Sequence, residues 1–138
     1  MEISVIIFEN AMSDTTTRGI RIQVESEYLA DRSDPNSAEY YYAYHVRISN
    51  VGNETAQLVS REWIITDGNG NVETVQGPGV VGDFPVLDPG TSYEYTSFCP
   101  LTTDVGMMHG TYTMRTRSGE TFAAQIAPFT LAAPGVVN

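Results

Sequence analysis

The sequence predicts an all-β chain folded as an antiparallel sandwich, and three observations predict it. Apolar and polar residues alternate with period 2 over several runs, which is the signature of a half-buried strand. Clusters of Gly, Asn, Asp and Pro separate those runs. No window of helical length shows a 3.6-residue period with caps.

The strands follow in chain order. Ile20, Ile22 and Val24 alternate with Arg21, Gln23 and Glu25. In the next run Tyr40, Tyr42, Tyr44, Val46 and Ile48 share one face, and Tyr41, Ala43, His45, Arg47 and Ser49 take the other. A slip of one residue would move that apolar row into water, so the register is strongly specified. Ser60 to Asp67 reads as a central strand around Trp63, the only tryptophan. Thr91–Phe98 follows Asp88-Pro89-Gly90, and Tyr112 and Met114 alternate with Thr113 and Arg115. Phe122, Ala124 and Ile126 close the series after the tight turn at Ser118-Gly119. Asp67-Gly68-Asn69-Gly70 reads as a hairpin, because Gly and Asn tolerate positive φ. Pro128 cannot donate to a ladder, so its strand is expected at an edge or bulged there. About seven strands at this spacing indicate an immunoglobulin-like or fibronectin type III-like sandwich. The Cys-Trp-Cys framework of antibody domains is missing.

Composition narrows the class. The chain has 138 residues, 17 acidic and seven basic, a net charge of −10. All seven basic residues are arginine. One domain is the default at this length. Such a charge repels phosphate backbones, so no nucleic-acid role is expected. The lysine-free surface reads as arginine codon bias or as adaptation to high salt. Cys99 is the single cysteine, which fits a reducing, cytoplasmic setting. No apolar stretch is long enough for a membrane helix. Ile3-Ser4-Val5-Ile6-Ile7-Phe8 is short and lacks a basic flank, so a signal peptide is not expected. Residues 1–11 read as an appendage. With the polar stretch that follows, residues 1–14 are placed outside a domain of residues 15–138.

Candidate sites are few. Gly77-Pro78-Gly79-Val80-Val81-Gly82 spells G-x-G-x-x-G. In dinucleotide-binding folds such glycines bring backbone amides to a pyrophosphate at a helix N-terminus. Here the sequence after Gly82 is a poor helix start and Asp83 repels phosphate, so a structural glycine loop is the expectation. A nest of amides holding a small anion is the weaker version. Asp67, Asn69 and Asn71 match the first positions of a calcium loop, but Val72 stands where its glycine belongs. Weak cation binding by Asp67, Asp83 or Asp88 is the residual reading, and no metal site or cofactor is assigned. His45 falls on the polar row of its strand and His109 in a loop entering a strand. Two histidines and one cysteine at wide spacing make no zinc pattern. Arg61 and Glu62 face opposite ways, and whichever turns inward must reach solvent or a partner. Tyr41 faces outward as a candidate contact residue. No nucleophile elbow appears, so enzyme activity is not expected.

Several stretches taken together resemble the ApaG (CorD) family. They are Thr16-Thr17-Arg18-Gly19-Ile20-Arg21-Ile22, Leu58 through Asp67, Val75 through Gly82 and Pro85 through Gly90. Tyr95-Thr96-Ser97, Gly110 through Met114 and Ile126-x-x-Phe129-x-Leu131 complete the likeness. The resemblance runs from about Thr15 to the end. It implies a fibronectin type III-like sandwich, a bacterial operon setting beside a diadenosine tetraphosphatase, and a link to cobalt and magnesium handling. It also implies an interaction module, as in eukaryotic F-box proteins. The family usually carries His after Ser-Arg, where Glu62 stands, and Gly where Phe98 stands. The expectation is therefore a non-enzymatic binding module. Its partner is a protein or a small anion, contacted through Gly77, Gly79, Gly82 and Asp83 with Arg61 and Tyr41. The alternative is nucleotide or pyrophosphate binding by the same loop. An uncovered edge strand leaves a homo-oligomer open.

Overall fold

The structure is a computed structural model that describes residues 12–135. The expected appendage of residues 1–11 lies outside the described residues. One sheet is built from β1 (Met12–Thr17), β2 (Ile20–Tyr28), β3 (Tyr40–Asn50) and β7 (Ser92–Leu101), side by side in that order. The second has the order β5 (Val72–Pro78), β4 (Ala56–Asp67), β8 (Val105–Thr116) and β9 (Thr121–Ala132). The two-residue β6 (Val86–Leu87) pairs with the start of β4, continuing the β5 edge. Every pairing is antiparallel.

Among the described residues the strands number nine where about seven are expected. The additions are β1 and β6. β1 has the sequence Met-Ser-Asp-Thr-Thr-Thr, with no apolar alternation, and is half-exposed along its length. Its place comes from pairing with β2 and from a two-pronged Arg21–Asp14 ion pair at 2.9 and 2.6 Å. Met12, Ser13 and Asp14, expected outside the domain, are thus part of this sheet.

The tyrosine strand follows its alternation. Tyr42, Tyr44, Val46 and Ile48 are buried in β3, and Ile20, Ile22 and Val24 in β2. Between the sheets the Trp63 ring centroid lies 5.2 Å from that of Tyr44 and 5.9 Å from that of Phe129, both edge-on. Edge-on contacts place a positive ring edge on a negative face. The Tyr42 hydroxyl donates to the Asp104 carbonyl at 3.0 Å, and the Tyr95 and Tyr112 hydroxyls bond to each other. Pro128 sits in the outermost strand, β9, where the register against β8 slips between Met108 and Gly110. Edge and bulge therefore occur together, as the missing N–H requires. His109 lies inside β8 opposite Ile64, not in a loop as expected.

Candidate functional site

The site begins with one irregularity in β4. Its register against β8 slips between Leu58 and Ser60. Before the slip the buried residues are Ala56 and Leu58; after it the buried residue is Trp63. The bulge inverts the parity of the strand. Arg61 therefore turns inward with Trp63. Glu62 turns outward and accepts a bond from the Gln76 side chain at 2.6 Å.

An inward guanidinium needs acceptors, and the neighbouring loop supplies them. Arg61 Nη1 donates to the Pro78 and Gly79 carbonyls, both at 2.9 Å. Gly77 is its partner across the ladder, and a Cβ there would stand 2.9 Å from the guanidinium. Gly79 has φ +59°, and a Cβ on it would lie 2.3 Å from the Asp83 carbonyl oxygen. The Gly79 N–H donates to the carbonyl of the bulged Val59. Val80 and Asp83 exchange two backbone bonds at 2.9 and 2.8 Å around an apex of Val81 (φ 48°) and Gly82 (φ 83°). Two left-handed residues at the apex make a tight hairpin turn of type I′. The Tyr93 hydroxyl of β7 donates to Asp83 Oδ2 at 2.6 Å, and that bond raises the phenol above its ordinary pKa.

These contacts account for each glycine of the G-x-G-x-x-G stretch without a ligand. The Gly79, Val80 and Asp83 amides are committed inside the fold, and Arg61 faces the interior. The structure thus brings together Gly77, Gly79, Gly82, Asp83 and Arg61. Tyr41 is elsewhere. It lies opposite Pro100 on the outer face of the other sheet, with its N–H bonded to Ser33 Oγ at 2.9 Å.

Beside Arg61 the two sheets do not close. Among the described residues β5 pairs only with β4, and β7 only with β3. A cleft of about 280 Å³ opens between these edges, lined by Tyr44, Arg61, Trp63, Val75, Cys99 and Met108, among others. It continues past Ile65, Glu73 and Pro100 into a second hollow of about 180 Å³. Burial pushes the Cys99 thiol up to about 11. A thiol protonated at neutral pH is a core group, not a nucleophile.

The remaining candidates serve local structure. Asp67 caps the β4–β5 hairpin, its Oδ1 accepting from the Asn69 and Asn71 amides at 2.8 and 3.0 Å. Desolvation raises its pKa, but donors from Asn71, Asn69 and Gly70 outweigh that and hold the carboxyl below its ordinary value. Asp88 accepts from Thr55 Oγ1 at 2.9 Å. Asp67, Asp83 and Asp88 thus belong to separate networks, and no group of three ligating side chains comes together among the described residues. His45 bonds Thr96 and Glu94, both at 2.8 Å, on the outer face of its sheet.

Comparison with known proteins fits this framework. Residues 30–116 match the ApaG domain. The chain belongs to the ApaG family. Protein ApaG of Mesorhizobium japonicum is 54% identical over 124 residues, covering 90% of this chain and 95% of that protein. Protein ApaG of Rhodospirillum centenum is 51% identical over 123 residues, covering 89% of this chain and 95% of that one. The crystal structure of an ApaA protein from Bordetella pertussis superimposes with a TM-score of 0.82 at 46% identity, covering 89% of this chain and 97% of that one. No helix among the described residues is long and apolar enough to cross a membrane.

Glu73 and Val75 line this cleft and were not among the site residues expected from the sequence.

Proposed function

We propose that this ApaG-family protein is a non-enzymatic binding module that docks a protein partner on its open side. The contact region is the Gly77–Asp83 loop with the adjoining surfaces of β5 and β7. One observation carries the reading. Of the nine large apolar side chains exposed among the described residues, five lie on the cleft, its second hollow or the loop beside them: Val75, Phe98, Val72, Val81 and Phe84. Concentrated exposed apolar surface is the usual mark of an interaction site. Val81 sharpens the point, because it is 65% exposed and holds a β-branched residue at φ 48°. Such a conformation costs about 1–3 kcal/mol, and strain of this kind collects at functional positions.

Pyrophosphate or nucleotide binding draws less support, because the Gly79, Val80 and Asp83 amides already have acceptors and the net charge of −10 opposes polyanions. The test is affinity capture with the full chain from its source cells, repeated with Phe84→Asp and Val81→Asp. Capture of one partner that falls at least about tenfold in both variants is expected. Equal capture by all three proteins refutes the reading. A thermal shift of about 3–5 °C with pyrophosphate or a nucleotide would move the assignment to the anion.

A further inference from the structure

The groove between β5 and β7 has a polarity of its own. Arg61 stands at one end of its β5–β4 wall and Glu73 at the other. Across that ladder Arg61 is opposite Gly77 and Ile65 opposite Glu73. The two charges are therefore four residues apart, about 13 Å at ~3.3 Å per residue. Between them the lining is apolar, with Trp63, Ile65 and Val75. Among the described residues neither Arg61 nor Glu73 has an ion-pair partner, whereas Arg18, Arg21 and Arg117 each have an acidic one. Arg61 uses one nitrogen, Nη1, for its two carbonyls, and a guanidinium carries donors on two further nitrogens. β5 is an edge strand, and from Val72 to Gly77 it has neither lysine nor proline to discourage pairing.

We infer that the groove receives an extended segment of the protein partner, added as a strand along β5, with an acid-x-apolar-x-base pattern. The inference rests on the protein-partner reading and specifies its chemistry. Alternate residues of an added strand face the same way, so positions 1, 3 and 5 of the segment enter the groove. Their span, four residues, equals the Arg61–Glu73 separation. The acid meets Arg61, the apolar residue lies over Trp63 and Val75, and the base meets Glu73. Main-chain bonds to β5 supply affinity, and the two charges fix register and direction.

The probes are short blocked peptides titrated into the full chain and followed by amide NMR. One is Asp-Thr-Phe-Thr-Lys, the second its reversed sequence Lys-Thr-Phe-Thr-Asp, and the third a scrambled Asp-Lys-Phe-Thr-Thr with the same charges at the wrong spacing. Shifts confined to β5 and the facing edge of β7 are expected, with one spaced peptide binding at least about fivefold tighter than the scrambled one. Arg61→Gln tests the acid end but risks the loop it supports. Glu73→Gln is the safer variant, because Glu73 is exposed and no lysine is added to the edge, and it should erase the advantage of a base over a neutral Gln at the Glu73 end of the spaced peptide. Absence of shifts up to ~5 mM overturns the inference, a weaker limit than any useful recognition. So do shifts indifferent to spacing, since the two charges would then only guard an edge against pairing. If peptides fail while Phe84→Asp still abolishes partner capture, this inference falls and the docking reading stands. If the wild-type chain captures no partner and the peptides fail, both fall.

Discussion

The two seams of the sandwich are made from the same kinds of strand and end differently. On one side β1 and β2 meet β9. There Ser26 Oγ donates to the Thr130 carbonyl at 2.8 Å, and the Gln125 N–H donates to Thr17 Oγ1 at 3.1 Å. Arg18 pairs with Glu120 at 2.8 Å and lies 5.0 Å from the centre of the Phe122 ring. On the other side β5 and β7 diverge, and the glycine loop reaches across through the Tyr93–Asp83 bond. The closed seam joins its polar groups across the two sheets. The open seam turns an arginine inward and leaves valines and phenylalanines in water. The docking proposed above therefore falls on the open seam.

The largest expected effect separates floor from rim. Trp63 is 3% exposed and touches Tyr44, Tyr112 and Phe129. Trp63→Ala should destabilise by about 3–5 kcal/mol in urea unfolding. Val75→Ala, on the rim of the same cleft, should stay within about 0.5 kcal/mol. Similar losses for both would mean that the groove is core and the seam is not open in solution.

The next effect tests the loop as scaffold. Gly79→Ala meets both a positive φ and the Asp83 carbonyl, so a loss of about 2–4 kcal/mol is expected. Gly82→Ala meets only the positive φ, because nothing lies within 4 Å of its Cβ position, and about 1 kcal/mol is expected. Thermal denaturation of the pair reads the difference. Equal losses would remove the close Gly79–Asp83 approach from the account.

A pH dependence comes third. Desolvation raises the Cys99 thiol from 9.0 to about 11 in the folded chain. A raised pKa means that the folded state holds its proton longer than the unfolded state does. The contribution is therefore fully present below pH 9 and is lost as pH rises toward 11. The melting temperature should fall across that window, and Cys99→Ala should fall less steeply relative to its own value at pH 8. Parallel curves would show that the buried tyrosines, also raised by desolvation, dominate alone.

How far the sequence reveals these seams depends on parity. Where one face is buried without interruption, as in β2 and β3, period 2 identifies every inward residue. In β4 the buried residues Leu58 and Trp63 are an odd number apart, which no regular strand allows on one face. That mismatch is the written trace of the bulge, and it decides that Arg61 faces in and Glu62 out. The same holds for β9, where Ile126 and Phe129 are out of step around Pro128. What the sequence does not reveal is how far the edges of two sheets stand apart, because that depends on twist and packing across the whole sandwich. The groove, with Glu73 on its wall, was invisible for that reason. β1 was hidden differently, since an edge strand half in water needs no apolar row.

The smallest effect has the most diagnostic sign. Val81 and Gly82 form the apex of a two-residue turn, and Asn-Gly is the pair such a turn prefers. Asn tolerates the left-handed region because its short polar side chain bonds locally, whereas a β-branched residue does not. Val81 is 65% exposed, so its replacement leaves no cavity. Val81→Asn should therefore stabilise the isolated chain by about 1 kcal/mol, read as a higher urea midpoint at unchanged slope. It also removes an apolar side chain from the rim, so partner capture should weaken. A gain in stability joined to a loss of binding is what distinguishes a residue kept for contact from one kept for folding. If Val81→Asn stabilises the chain and captures as well as the wild type, the apex is not part of the interface. The docking surface then contracts to Phe84 and the groove. If it destabilises, Val81 packs in solution and the open seam is narrower at this end than at Glu73.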